Sequence, residues 1–128
     1  MESMSSSDSE RLLHIFQQIL TAIGQLQEWN DGIESADDYY LSPGGMQKLA
    51  ASCMLIEAIG EGIKQIDRLS SGQLLKLRPE IPWIDVMGMR NHIAHGYFDI
   101  DGDLVLSTIK NDLAPLSEAV CFFIEMLK

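Results

Sequence analysis

Apolar residues recur at a spacing of three or four along four stretches of the chain, and each stripe predicts an amphipathic helix. The first stripe is Leu12, Phe16, Ile19, Ile23 and Leu26, preceded by Asp8 and Ser9, either of which can cap a helix. Residues 30–41 are polar and turn-rich. Ser42-Pro43 then supplies a cap and a first-turn proline for a second helix, with the stripe Leu49, Cys53, Ile56, Ile59, Ile63 and Ile66. Ser70-Ser71-Gly72 ends it. The stretch Arg78-Pro79-Glu80-Ile81-Pro82-Trp83 marks the entry to a third helix, predicted to run to about Gly96. The fourth follows Leu113, Leu116, Val120, Phe123 and Leu127. Because Cys121-Phe122-Phe123-Ile124 is apolar nearly all round, that helix is expected to be well buried.

Residues 98–106 carry two signals. Asp101-Gly102 between alternating apolar residues suits a hairpin turn, whereas Asp103 suits the cap of a short helix from Leu104 to Lys110. An isolated hairpin is marginal in a helical domain, which favours the helix. Asp99, Asp101 and Asp103 also match the first three spacings of a calcium loop. The match then fails, with Leu104 where glycine is needed and Lys110 where a bidentate glutamate belongs. No metal-ligand set and no cofactor is expected.

Together these elements predict an all-α protein, an up-and-down four-helix bundle with a short extra helix after residue 97. Residues 1–7 read as a disordered N-terminal tail and residues 8–128 as one helical domain. Hydrophobic residues make up 46% of the chain, too many for a disordered one. No apolar run approaches the roughly 18 residues that span a bilayer, and the polar start does not resemble a signal peptide. Cys53 and Cys121 lie far apart in apolar stretches and read as two buried free thiols. A cytoplasmic protein is the expectation. Nineteen acidic against nine basic residues give a net charge of −10. That argues against strong autonomous nucleic-acid binding but leaves room for a cleft with one local cation.

Candidate chemistry concentrates in Arg90-Asn91-His92-Ile93-Ala94-His95-Gly96-Tyr97. Here stand a permanent cation, an imidazole of the kind that exchanges a proton near neutral pH, and a phenol. A phosphodiester can use all three: the arginine for phosphorane charge, the histidine for a proton, the tyrosine for orientation or modification. On an ideal helix Arg90 and Tyr97 fall within about 20° of one line and His95 about 140° round from Arg90, beside Asn91. Arg90 and His95 then flank a face, and a second copy across a two-fold axis would bring them together. A structural account stands beside this one. Arg90 lies opposite Gly60 if the second and third helices form an antiparallel hairpin, within reach of Glu57 and Glu61, with His95 at a helix end and Tyr97 as a plug. His92 reads as a partly exposed bystander and His14 as a surface residue.

With Ile56-Glu57-Ala58-Ile59-Gly60-Glu61, Ile81-Pro82-Trp83 and Met89 to Tyr97 in this order, the chain resembles the HEPN superfamily. Within it, the likeness is to the HepT-like toxins paired with minimal nucleotidyltransferase (MNT) antitoxins. It covers residues 42–128; Leu106 departs from it, standing where members often carry tryptophan. The resemblance implies a four-helix-bundle homodimer with two motif copies at a cleft, and metal-independent endoribonuclease activity in a type VII-like toxin–antitoxin system. RNA, not DNA, would be the substrate, and no membrane is involved. His95 would be the general acid or base, Arg90 the stabiliser of phosphorane charge and Asn91 a polar helper. Tyr97 matches the tyrosine to which the MNT partner adds AMP. The competing expectation is a non-catalytic helical subunit that binds substrate for, or adapts, a nucleotidyltransferase; the acidic charge favours it.

Overall fold

Side-chain oxygens cap the helices at three points where the chain turns inward. The computed structural model describes residues 5–128. Among them are six α-helices: α1 (Ser6–Trp29), α2 (Asp37–Tyr40), α3 (Pro43–Leu69), α4 (Trp83–Ile93), α5 (Gly102–Asn111) and α6 (Leu113–Leu127). A 3₁₀ turn at Leu75–Leu77 lies between α3 and α4. Ser5 caps α1, its hydroxyl accepting from the Asp8 N–H at 3.1 Å, so the helix starts ahead of both expected caps. Of the expected tail, residues 1–4 lie outside the described residues, while residues 5–7 form the cap and first turn of α1. Ser42 caps α3 as expected, accepting from the Gly45 N–H at 2.9 Å.

The four stripes pack as a helical bundle: α3 lies against both α1 and α4, and α1 against α6. Phe16 of α1 stacks on Phe123 of α6 with centroids 4.9 Å apart, and Trp83 tilts against Phe123 at 6.2 Å. Leu12, Leu26, Ile63, Ile66 and Val120 are fully buried in the same core. Each such side chain contributes about 1.5–3 kcal/mol by leaving water. Gly60 sets how closely α4 approaches α3. A Cβ there would lie 3.0 Å from the Met87 carbonyl oxygen and 3.1 Å from that of Val86.

A polar knot ties α1, α2 and α3. The Asn30 amide donates to the Leu26 carbonyl at 2.8 Å and to the Ser52 hydroxyl at 2.9 Å, and accepts from the Tyr39 hydroxyl at 2.6 Å. Ser52 in turn donates to the Lys48 carbonyl at 2.7 Å. Asn30, Tyr39 and Ser52 are all buried, so each bond stands in for one to water. The reading of residues 30–41 as turn alone missed both this network and α2.

Three further expectations change. The third helix stops at Ile93 rather than near Gly96, because Ala94 is extended (φ −154°, ψ 144°) and Gly96 takes φ +119°. In residues 98–106 the favoured helix forms and, among the described residues, no hairpin does, but the cap differs. A single antiparallel bridge joins Ala94 to Ile100, after which Asp101, not Asp103, caps α5 by accepting from the Leu104 N–H at 3.0 Å. Finally, α6 is buried on one face only. Phe123 and Ile124 are inside, whereas Cys121 is exposed and Phe122 partly so, under the Arg78 guanidinium at 5.0 Å. A continuous apolar run buries only the side that meets its neighbours, here mainly α1, with α5 and Trp83 of α4 beside it. Cys53 is buried, which pushes its thiol pKa up; the Arg90 charge pulls the other way. Among the described residues no helix is long and apolar enough to cross a membrane.

Candidate active site

The end of α4 determines how the motif is presented. Arg90 lies in its last turn, half-buried, while Asn91 and His92 on the following positions are exposed. Ile93 and Ala94 are both buried, at 1% and 3% exposure. The chain seats these two consecutive residues by leaving the helix, and in the extended stretch His95 then falls on the solvent side. A loop follows with little freedom. The His95 N–H donates to the Asp99 carbonyl at 2.9 Å, and the Asp99 N–H to the Gly96 carbonyl at 3.2 Å. The Asp101 N–H returns to the Ile93 carbonyl at 2.7 Å. Gly96 is the one residue of the loop at positive φ, a conformation that L side chains rarely adopt.

Arg90 makes two contacts. Its Nη1 donates to the Ala94 carbonyl at 3.3 Å, which puts the guanidinium beside the peptide leading into His95. Its Nε lies 3.9 Å from Glu57 Oε2 on α3, an ion pair with both partners substantially in solvent. Glu61 pairs instead with Lys64 at 3.0 Å. Between α3 and α4, Glu57, Glu61, Lys64, Met87, Arg90 and Asn91 line a polar crevice of about 80 Å³. A larger open groove of about 670 Å³ lies between α1 and α3, with His14, Gln18, Gln25 and Gln65 along it. None of the residues from Arg90 to Tyr97 lines it.

The structure joins some of the predicted site residues and separates others. The single helical line through Arg90 and Tyr97 does not exist, because α4 has ended before Tyr97. Arg90 stands beside Glu57, whereas Tyr97 borders an open notch with Tyr40, Leu41, Pro43, Met46 and Gln47. Along α3, Gln47 and Glu57 are ten residues apart, about 15 Å. Arg90 and His95, placed about 140° apart on an ideal helix, are instead linked through the Ala94 carbonyl. Tyr97 is 54% exposed.

Two residues of this region escaped the sequence reading. The Tyr40 hydroxyl accepts from the Gly102 N–H at 2.8 Å and donates to the Ile100 carbonyl at 3.2 Å, fastening α2 to the far end of the motif loop. The pair Tyr39-Tyr40 in an otherwise polar stretch was the available signal. Phe98, the most exposed large apolar residue among the described residues, sits edge-to-face with Tyr97 at 5.1 Å. Asp99 holds the loop through its backbone, Asp101 caps α5 and Asp103 lies in the first turn of α5, and no group of three His, Cys, Asp or Glu side chains among the described residues is arranged to hold a metal.

Comparison with known proteins adds a family. The HepT-like profile, described as ribonuclease HepT-like, matches residues 19–121. A protein named as a probable ribonuclease HepT from Thermococcus cleftensis is 36% identical over 61 residues, 48% of this chain and 52% of that one. The chain thus spans about half the length of that relative. A second, named as a putative RNase from Methanocaldococcus jannaschii, is 28% identical over 97 residues, 74% of this chain and 85% of that one. No solved structure matches the chain.

Proposed function

The chain belongs to the HepT-like ribonuclease family, and from that premise we propose that it is an endoribonuclease that cuts RNA through Arg90 and His95 without a metal. The observation that carries the reading is the pairing of an outward-facing His95 with an Arg90 guanidinium held at the adjoining peptide, both reachable from solvent.

In this mechanism the 2′-hydroxyl of one nucleotide attacks the adjacent phosphorus. A base takes the hydroxyl proton, the P–O5′ bond breaks, and an acid returns a proton to the departing 5′ oxygen. The products are a cyclic 2′,3′-phosphate and a free 5′-hydroxyl. His95 is the group of the motif suited to proton transfer, and Arg90 supplies the fixed positive charge for the phosphorane. Asn91, exposed beside Arg90 at the crevice, is placed to donate a hydrogen bond to a non-bridging oxygen. The acid and the base are the His95 imidazoles of two chains. We assign a homodimer whose two motif copies face a shared cleft; the 84% exposed Ile84 on α4 supplies apolar surface on the same helix as Arg90.

Regulation fits the same loop. The protein is the toxin of a type VII-like toxin–antitoxin pair, and an MNT-type nucleotidyltransferase silences it by adding AMP to the exposed Tyr97, whose added phosphate charge and bulk obstruct RNA. The test compares purified wild type with His95→Ala on single-stranded RNA, with and without EDTA. Cleavage should persist in EDTA and fall by on the order of 10²–10⁴-fold in the variant, with the helical circular dichroism unchanged. Equal cleavage by the two proteins would remove the assignment and leave the adaptor reading, which the net charge of −10 favours.

A further inference from the structure

Phe98 is 98% exposed, so a large apolar ring stands in water without a core to fill. It lies three residues beyond His95, in the loop held by the His95–Asp99, Asp99–Gly96 and Asp101–Ile93 backbone bonds. Tyr40 pins the far end of that loop at Ile100 and Gly102. Tyr97 meets the ring edge-on, at an interplanar angle of 79°, which steadies Phe98 without covering it. An ordered backbone therefore presents a bare aromatic plane in the same tight turn that carries His95.

The electrostatics of the site make that plane informative. Binding RNA by phosphate neutralisation requires several cations, each displacing a counterion. Here Arg90 is shared with Glu57, Lys64 is paired with Glu61, and Asp99, Asp101 and Asp103 follow the motif. Stacking of a base on an aromatic face needs no cation and tolerates any base. It does need an unpaired base, which single-stranded RNA provides.

We propose that Phe98 is the stacking platform for an unpaired RNA base next to the cleaved phosphate, and that this acidic chain holds its substrate by base stacking more than by phosphate neutralisation. The proposal rests on the ribonuclease reading of the motif and adds to it a binding residue outside the motif and a substrate class, single-stranded RNA. Because the ring lies outside the core, replacing it leaves the fold in place.

The test uses the full chain, a short single-stranded RNA for kinetics, and a 2′-O-methylated copy with 2-aminopurine at successive positions for binding. The methylated strand cannot be cut, and stacking quenches 2-aminopurine. Wild type should quench the probe at one position. Phe98→Leu should abolish the quench and raise KM roughly 5- to 150-fold with kcat little changed, while Phe98→Trp should retain both. The slope of log affinity against log salt should be about −0.7, the value for one phosphate on a single strand. Wild-type KM and quench in Phe98→Leu would overturn the proposal. Unchanged RNA kinetics with lost binding of a protein partner would overturn it too, assigning the ring to a protein surface. A wild-type quench without any cleavage of ordinary RNA would instead sink the ribonuclease reading, and the persisting quench separates that result from a failure of stacking.

Discussion

Arg90 Nη1 donates to the carbonyl oxygen of Ala94 at 3.3 Å, across the point where α4 gives way to extended chain. That bond fixes the guanidinium at the peptide bearing His95 while leaving other N–H groups of the fork available. It also separates two accounts of Arg90. A structural cation would be buried against its carboxylate, whereas the Arg90 and Glu57 side chains are 38% and 58% exposed at 3.9 Å.

An ion pair of that kind is worth about 0.2–1 kcal/mol. Glu57→Gln should therefore leave thermal stability nearly unchanged. By freeing Arg90 for phosphate, it should raise kcat/KM on RNA by roughly 1.5- to 5-fold. Arg90→Ala should lower kcat by on the order of 10²–10³-fold at a stability cost of about 1 kcal/mol. Denaturant melts alongside initial rates check both. A large loss of stability with Glu57→Gln would restore the structural account.

Tyr39 gives a pH signature. Burial pushes its pKa up to about 12 from the usual 10.0. The folded state thus holds the phenolic proton where the unfolded chain has released it. Stability from this group is complete below pH 10 and declines as pH rises toward 12. Alkaline unfolding should show this slope, and Tyr39→Phe should remove it. The same change leaves Asn30 Oδ1 without its 2.6 Å donor, so at neutral pH it should cost about 1–3 kcal/mol. A spectrophotometric titration and urea melts at pH 7 and pH 11 decide it.

At Gly60 the expectation is steric. Gly60→Ala puts a methyl about 3.0 Å from the backbone carbonyl of Met87, which cannot yield as a side chain can. Moving α4 off α3 should cost about 1–3 kcal/mol. RNA cleavage should fall further than the folded fraction alone requires, because α4 carries Arg90. Gly24→Ala, on α1 with no atom within 4 Å of the added carbon, serves as control and should not destabilise.

Tyr97 stands in a notch with Met46 and Gln47 rather than on a line with Arg90. An AMP there should act by obstructing the loop. Co-expression with a nucleotidyltransferase of the MNT type should add AMP to Tyr97 and stop cleavage, and Tyr97→Phe should cut RNA yet escape silencing. Intact-mass spectrometry reads the modification. A silenced complex whose Tyr97 stays unmodified would mean inhibition by binding alone.

Much of this was legible in the chain itself. Periodicity of three and four placed all four main helices, since burying one face is a property of the order of residues, and Ser42-Pro43 marked the start of α3 because cap chemistry is local. The cluster from Arg90 to Tyr97 was likewise visible as chemistry. Its geometry was not. Whether α4 continued to Gly96 depended on Ile93 and Ala94 both being drawn inside, on Asp101 reaching back to the Ile93 carbonyl, and on Tyr40, some sixty residues away, seizing the chain at Ile100 and Gly102. The same holds for α6, whose apolar run did not reveal that its neighbours would cover one face alone, leaving Cys121 and Phe122 outside. Local sequence determines which helices form and which faces are apolar. Where a helix ends, and which side chains its end turns toward solvent, is decided by partners distant in the chain.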